Sequence, residues 1–287
     1  MVVLKPALRA PFHRLGLAIV AIAVVALGGC SYFRRDPVRP VVQERPPELL
    51  YAEGTRRLDN HEWANAVIYL QEVERQHPYS EWSRRAILMQ AYAYYSAGSY
   101  TEAISASDRF IQLYPGNPST PYAYYLKAQC YFEQILDVGR DQAATEQARA
   151  AFEDVVRRFP ATPYAADARL KLDMIRDQLA GKEMEVGRYY LRENQTLAAS
   201  NRFRRVIETY QTTSHVPEAL YRMVEADLTM GLIDDANRNG AVLGTNFPGS
   251  AWYADAYALL TARGYQPAIA PQQETRSIFR RMREGLF

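Results

Sequence analysis

An all-α fold of stacked, antiparallel helix pairs is what this 287-residue sequence predicts, and three features predict it. An aromatic residue or histidine followed by proline recurs at His77-Pro78, Tyr114-Pro115, Phe159-Pro160 and Phe247-Pro248, and an alanine (Ala66, Ala103, Ala148, Ala236) stands twelve residues before each proline. A second small residue stands twelve positions before such an alanine at Gly54, at Ala91 and at Gly187, the last in a unit built on Ala199 that carries Gln211 where its proline would fall. Bulky residues (Trp63, Leu70, Tyr100, Phe152, Tyr190, Phe203) fill the slots between. Small against small lets two helices cross closely, and large side chains three or four positions away fill the grooves beside the crossing. Proline then ends the second helix, because it has no N–H and clashes with the preceding turn.

The chain opens with Lys5, Arg9 and Arg14 ahead of an apolar stretch, Leu15 to Leu27, which has the form of an export signal and is too short for a bilayer span of about twenty residues. Leu27-Gly28-Gly29-Cys30 follows and looks like a bacterial lipobox: small side chains suit a narrow peptidase site, and the thiol of Cys30 can carry a diacylglycerol. An ordinary secretory cleavage site with an incidental cysteine, or an uncleaved anchor, are the competing readings. Residues 1–29 are therefore expected to be a lipoprotein signal peptide. Ser31 behind the lipidated cysteine, where aspartate would favour retention in the inner membrane, favours the periplasmic face of the cell outer membrane. Three fatty chains, at about 0.8 kcal/mol per buried methylene, anchor stably where one would be marginal. Residues 30–47, rich in proline and charge, read as a flexible tether.

Residues 48–264 carry the repeat, which resembles the tetratricopeptide repeat. A solenoid of about five helix pairs is expected, with Gly98, Asn194 and Gly231 turning the chain between paired helices. Eight additional residues between Ala128 and Ala148 predict a longer loop around Leu136 to Arg140 in the third unit. No proline falls between Pro163 and Asn194, so one long helix is expected to join the third and fourth units, with Gly181 its weak point. Ser250 to Ala262 supplies a C-terminal capping helix. Residues 265–287 form a linker and a basic tail, read either as frayed or as a helix that touches anionic lipid or a partner.

Composition narrows the function. Loss of the three leader cations takes the formal charge from +2 to −1, which removes the electrostatic basis for nucleic-acid binding. Histidines 13, 61, 77 and 215 are scattered, and no phosphate loop, nucleophile elbow or Cys-His signature occurs, so neither a metal, a cofactor nor an enzymatic activity is expected. With Cys30 acylated, Cys130 is expected to be an unpaired core thiol. Stacked pairs make a concave face from their first helices, and register on the small positions assigns Tyr51, Arg85, Tyr92, Tyr95, Tyr122, Tyr125 and Phe132 to that face. An aromatic strip of this kind suits an extended peptide, although some of these rings must serve the core.

The lipobox, the short Pro-rich tether, five tetratricopeptide-like pairs and a long central helix together resemble the BamD family, lipoproteins of the outer-membrane β-barrel assembly machine. The segments AYAYYSAGSYTEAISASDRFIQLYP and ARAAFEDVVRRFPATPYAADARLKLDMIRDQLAGKEMEVGRYYLRE carry the similarity, which covers nearly the whole mature chain. The resemblance implies that C-terminal repeats dock on the barrel-forming core subunit, BamA, and that N-terminal repeats receive the C-terminal signal of unfolded outer-membrane proteins. It also implies a contact with the core subunit through an Asn-Arg pair in the second helix of the fourth unit, matched here by Asn201-Arg202, whose guanidinium suits a carboxylate on that partner. Gln211 departs from the pattern and leaves the end of that helix less defined. The alternative is another periplasmic tetratricopeptide lipoprotein coordinating cell-wall synthesis or secretion.

Overall fold

The computed structural model describes residues 44–265. The expectations for the signal peptide, for Cys30 and Ser31 and for the basic tail fall outside the described residues. The helices belong to one compact unit that begins at Arg45. Among the described residues eleven helices follow in sequence: α1 (Pro47–Asp59), α2 (Trp63–Gln76), α3 (Glu81–Ser96), α4 (Tyr100–Leu113), α5 (Thr120–Phe132), α6 (Ala143–Arg158), α7 (Pro163–Arg192), α8 (Thr196–Thr209), α9 (Val216–Met230), α10 (Ile233–Asn246) and α11 (Ala251–Ala262). Every helix packs on the next, and the first helices of successive units also touch, α1 on α3, α3 on α5 and α5 on α7. This is a tetratricopeptide-repeat solenoid of five pairs closed by α11, and the layer of first helices forms its inner face.

The small positions work as the spacing requires. Ala66, Ala103, Ala148, Ala199 and Ala236 are all fully buried. At Gly54 an added Cβ would lie 2.9 Å from Leu70, and at Gly187 it would lie 2.4 Å from Cε1 of the Phe203 ring. Around these crossings one core runs from Ala128 to Ala256 through Phe152, Ile175, Phe203, Leu220 and Tyr253, joining units three to five, while smaller clusters join the second unit to α5. The capping helix seats by the same device: Tyr253 and Leu260 lie where Cβ atoms at Gly244 and Gly240 would stand, at 2.4 and 2.7 Å, two crossings that the twelve-residue spacing does not reach.

Gly98, Asn194 and Gly231 adopt left-handed φ angles of 73°, 58° and 77°, as expected of the inter-helix turns, and His61 takes the same role at 59° in the first unit, where no permissive residue announces it. The long loop of unit three covers residues 133–142 and is tied together by Gln142, whose Nε2 donates to the carbonyls of Asp137, Val138 and Arg140.

Two expectations need correction. Helix α7 runs unbroken for 30 residues, about 45 Å at 1.5 Å per residue, with no break or kink at Gly181. Gly181 is buried against His215 and Val138. Its helix is held on both sides, by Gln178 Nε2 and Lys182 Nζ donating to the carbonyls of Leu136 and Gly139 and by the Ser214 N–H and hydroxyl donating to Asp177. Gln211 likewise does not blur the end of α8. Tyr210 closes that helix with φ −121° and ψ 44°, close to the values at His77, Tyr114, Phe159 and Phe247. The buried Tyr210 ring and the Thr213 hydroxyl, which donates to the Tyr210 carbonyl at 2.8 Å, set this geometry without a proline.

Candidate functional site

Five of the seven candidate groove residues form one continuous aromatic row. Tyr92 and Tyr95 on α3 meet Tyr122 over the buried Ala91, Ala106 and Leu126. On α5, Tyr122 and Tyr125 both face Tyr164 of α7, with ring centroids at 5.7 and 5.3 Å, and Tyr125 and Phe132 both pack on Phe152 at 6.1 and 6.0 Å. Each ring of the row is partly buried, so each packs on the core and keeps part of its surface exposed.

Tyr164 is the member that register on the small positions missed, because it sits in the first turn of α7, behind Pro163, ahead of any repeat landmark. Carboxylates orient the phenols: Tyr95 donates its hydroxyl hydrogen to Glu133 at 3.2 Å and Tyr125 donates to Asp167 at 2.6 Å. Burial, reinforced by Glu133, pushes the Tyr95 phenol up to about 12, and burial raises Tyr122 and Tyr125 further still. Lys171 lies 4.6 Å above the Phe132 ring and closes the row with a cation.

Tyr51 and Arg85 are not part of this row. They form a separate cluster with Trp82, whose ring lies 5.1 Å from Tyr51 and carries the Arg85 guanidinium 4.8 Å above it. The Trp82 indole N–H donates to Glu48 at 3.0 Å, which fixes the platform. Beside it opens a cavity of about 450 Å³ between α1, α3 and the loop into α5.

The Asn201-Arg202 pair lies on α8, at the other side of the long helix. Asn201 is exposed and its Oδ1 accepts from Arg204 at 3.1 Å. Arg202 already has a carboxylate within its own chain. Glu183, with only 12% of its side chain exposed, accepts Arg202 on one oxygen and Arg205 on the other, each at 3.1 Å. The expectation that a partner's acid is the natural counter-ion of Arg202 is thereby modified: Glu183 fixes the guanidinium in place. A depression of about 340 Å³ lined by Tyr190, Ala198, Asn201, Arg202 and Arg205 opens above it. Sequence reasoning missed Glu183 and Arg205. Their signal was available, since Glu183 precedes the crossing glycine Gly187 by one helical turn and so must face α8. Cys130, expected as a core thiol, is fully buried and unpaired, and burial pushes its thiol up to about 12.

A family model described as "Outer membrane lipoprotein" (YfiO) matches residues 43–243. The outer membrane protein assembly factor BamD of Caulobacter vibrioides is 62% identical over 259 residues, which cover 90% of this chain and 85% of that protein. BamD of Rickettsia prowazekii is 44% identical over 251 residues, covering 87% and 96%. Among solved structures, the tetratricopeptide domain of P58(IPK) aligns over 74% of this chain and 55% of its own, a distant likeness with a TM-score of 0.39 at 12% identity. Among the described residues no helix is long and apolar enough to cross a membrane.

Proposed function

Since this chain belongs to the outer membrane lipoprotein family whose members include the BamD assembly factors of outer-membrane proteins, we propose a division of labour between its two ends. A lipid on Cys30, behind a signal peptide at 1–29 and ahead of a tether at 30–47, holds the solenoid at the periplasmic face of the outer membrane. The C-terminal repeats grip the barrel-forming core subunit, BamA, through the face that carries Asn201 and Arg202. The N-terminal repeats receive the C-terminal signal of unfolded outer-membrane proteins along the inner face.

The observation that carries this reading is the contrast between the two faces. The inner face of units two and three is a row of half-buried rings with phenols aimed by carboxylates, a surface that takes an extended chain through apolar contact and hydrogen bonds. The α8 face is polar and rigid, because one nearly buried carboxylate immobilises two guanidiniums. Arginines held in this way lose little further entropy on docking. The rival reading, a repeat lipoprotein serving cell-wall synthesis or secretion, lacks the family that this chain belongs to.

Substitution Arg202→Glu tests the grip. It sets a second carboxylate against Glu183 and reverses the charge offered to the partner. Capture of BamA by the tagged protein from detergent-solubilised membranes is expected to fall at least tenfold while the helical circular dichroism stays unchanged, and Arg202→Gln is expected to give a smaller loss. Undiminished capture by both variants would remove Arg202 from the interface.

A further inference from the structure

The edge of the solenoid at which the chain enters the first unit differs from the same edge in the later units. There α1 and α3 begin and α2 ends. In the turn after each second helix, the residue behind the repeat proline, or behind Gln211 in its place, is Gly116, Ala161, Thr212 or Gly249 in the later units and Tyr79 in the first. Tyr79 is 97% exposed and has no hydrogen-bond or ring partner among the described residues, so the fold itself does not account for a large ring at this position. Its turn is nevertheless fixed. The Ser80 N–H and hydroxyl both donate to the His77 carbonyl, at 3.1 and 2.9 Å, and the Ser80 hydroxyl caps α3 by accepting from the Ser83 N–H. The entering chain is tied to the same turn: the Arg45 N–H donates to Gln76 Oε1 at 3.2 Å, and the His77 ring N–H donates to the Arg45 carbonyl at 2.8 Å. In the first turn of α1, Leu49 is 59% exposed, and its neighbour Glu48 accepts the Trp82 indole N–H at 3.0 Å. Hydrogen bonds thus link Arg45, Glu48, His77 and Trp82 along one edge, which presents Leu49, Tyr79 and the partly exposed Trp82. Arg45 is exposed there and makes no ion pair among the described residues.

We propose that this edge seats in the headgroup layer of the membrane leaflet that holds the lipid on Cys30, with Tyr79 and Leu49 immersed and Trp82 at the boundary. Tyrosine and tryptophan concentrate at that depth because each ring has an apolar body and a polar tip. A guanidinium such as that of Arg45 offers lipid phosphate its planar, paired donors. Chain length permits the contact, since Arg45 is fifteen residues beyond Cys30, at most about 50 Å of chain. A connection of this reach keeps the edge at an effective concentration on the order of millimolar, so a patch of two rings and a leucine, too small to hold a free protein on a membrane, is enough. The inference rests on the reading that Cys30 is lipidated. It adds to the anchor a second contact, which decides the edge of the first unit that meets the membrane and makes α1, α2 and α3 stand up from the surface.

The test uses the full chain, produced from its complete sequence in a Gram-negative host, purified in detergent and reconstituted into vesicles of phosphatidylethanolamine and phosphatidylglycerol. The vesicles are made once with ordinary acyl chains and once with brominated ones, which quench tryptophan on contact. Trp63→Phe/Trp252→Phe leaves Trp82 as the reporter, and Trp82→Phe/Trp252→Phe leaves Trp63, at the opposite end of α2, about 20 Å away along the helix axis. Bromine is expected to quench Trp82 emission roughly twofold and to leave Trp63 nearly unchanged. Adding Leu49→Ser/Tyr79→Ser, which alters two exposed side chains alone, is expected to bring Trp82 to the level of Trp63 while the protein still floats with the vesicles. Unquenched Trp82 in protein that floats overturns the contact and leaves the lipid anchor standing. Equal quenching of Trp63 and Trp82, or quenching of Trp82 that survives the serine substitutions, also overturns it, by placing the membrane contact elsewhere. Protein that does not float with the vesicles overturns both the contact and the reading of Cys30.

Discussion

Valine at position 187 is expected to pry apart the crossing on which the α8 face depends. The first added carbon alone would stand 2.4, 2.8 and 2.9 Å from three atoms of the Phe203 ring. That ring is fully buried among Ala199, Val206 and Met184 and has no solvent to swing into, so the two helices must separate. Overpacking of this kind costs about 1–3 kcal/mol, and three carbons at a contact this close belong near the upper value. Replacing a mid-helix glycine by a β-branched residue returns less than about 0.5 kcal/mol of helix propensity. The net loss of about 2–3 kcal/mol corresponds to a fall in Tm of roughly 5–10 °C for a domain of this size.

Thermal melting followed by circular dichroism reads the shift, and Gly181→Ala is the control. There the new Cβ meets the movable ring of His215 at 3.2 Å and Val138 at 3.5 Å, so the propensity gain of about 1 kcal/mol prevails and Tm holds or rises slightly. Separation of the helices also stretches the 3.1 Å pairing of Arg202 with Glu183, one turn away, so Gly187→Val is expected to capture less BamA in proportion. A valine variant that melts with the parent or above it would refute the close-crossing argument.

Three more outcomes are expected from particular side chains. Glu183→Gln removes the charge that fixes Arg202 and Arg205, and capture of BamA is expected to fall about threefold to tenfold with Tm nearly unchanged, which a pull-down beside a melt distinguishes from unfolding. Cys130, with its thiol pushed up to about 12, should resist iodoacetamide at neutral pH in the folded chain and react on denaturation; mass spectrometry reads both states, and rapid native labelling would contradict its burial. Tyr95 and Tyr221, each pushed up to about 12 by burial and then by Glu133 and Glu225, favour the neutral phenol in the folded state. Their contribution to stability is therefore complete below about pH 10, the unfolded value, and is lost as pH rises from there through 12. Tyr95→Phe should weaken this alkaline loss in pH-dependent melts, and an unchanged profile would count against the shift.

Much of the architecture could be read locally because the repeat writes it twice over, in small residues at helix crossings and in stops at helix ends. Gly54, Ala66, Gly187 and Ala199 occupy the expected crossings because close approach leaves no alternative to a small side chain. Stops were less legible where a packing interaction replaces a local rule, as with the buried ring of Tyr210 in place of a proline and the clamped backbone around Gly181. For the candidate sites, helical register was enough to gather Tyr92, Tyr95, Tyr122, Tyr125 and Phe132 on one face, since neighbouring first helices repeat the same geometry.

Side-chain partnerships between helices distant in sequence were a different matter. Which carboxylate holds Arg202, that Tyr164 completes the aromatic row, and that Arg84 and Arg85 share a cavity with Tyr51 and the start of α5 all depend on distances across the solenoid. Periodicity determines the face on which a residue lies, because it follows from backbone geometry alone. Ion pairs and cavities form where separate faces meet, and only the tertiary structure sets that meeting.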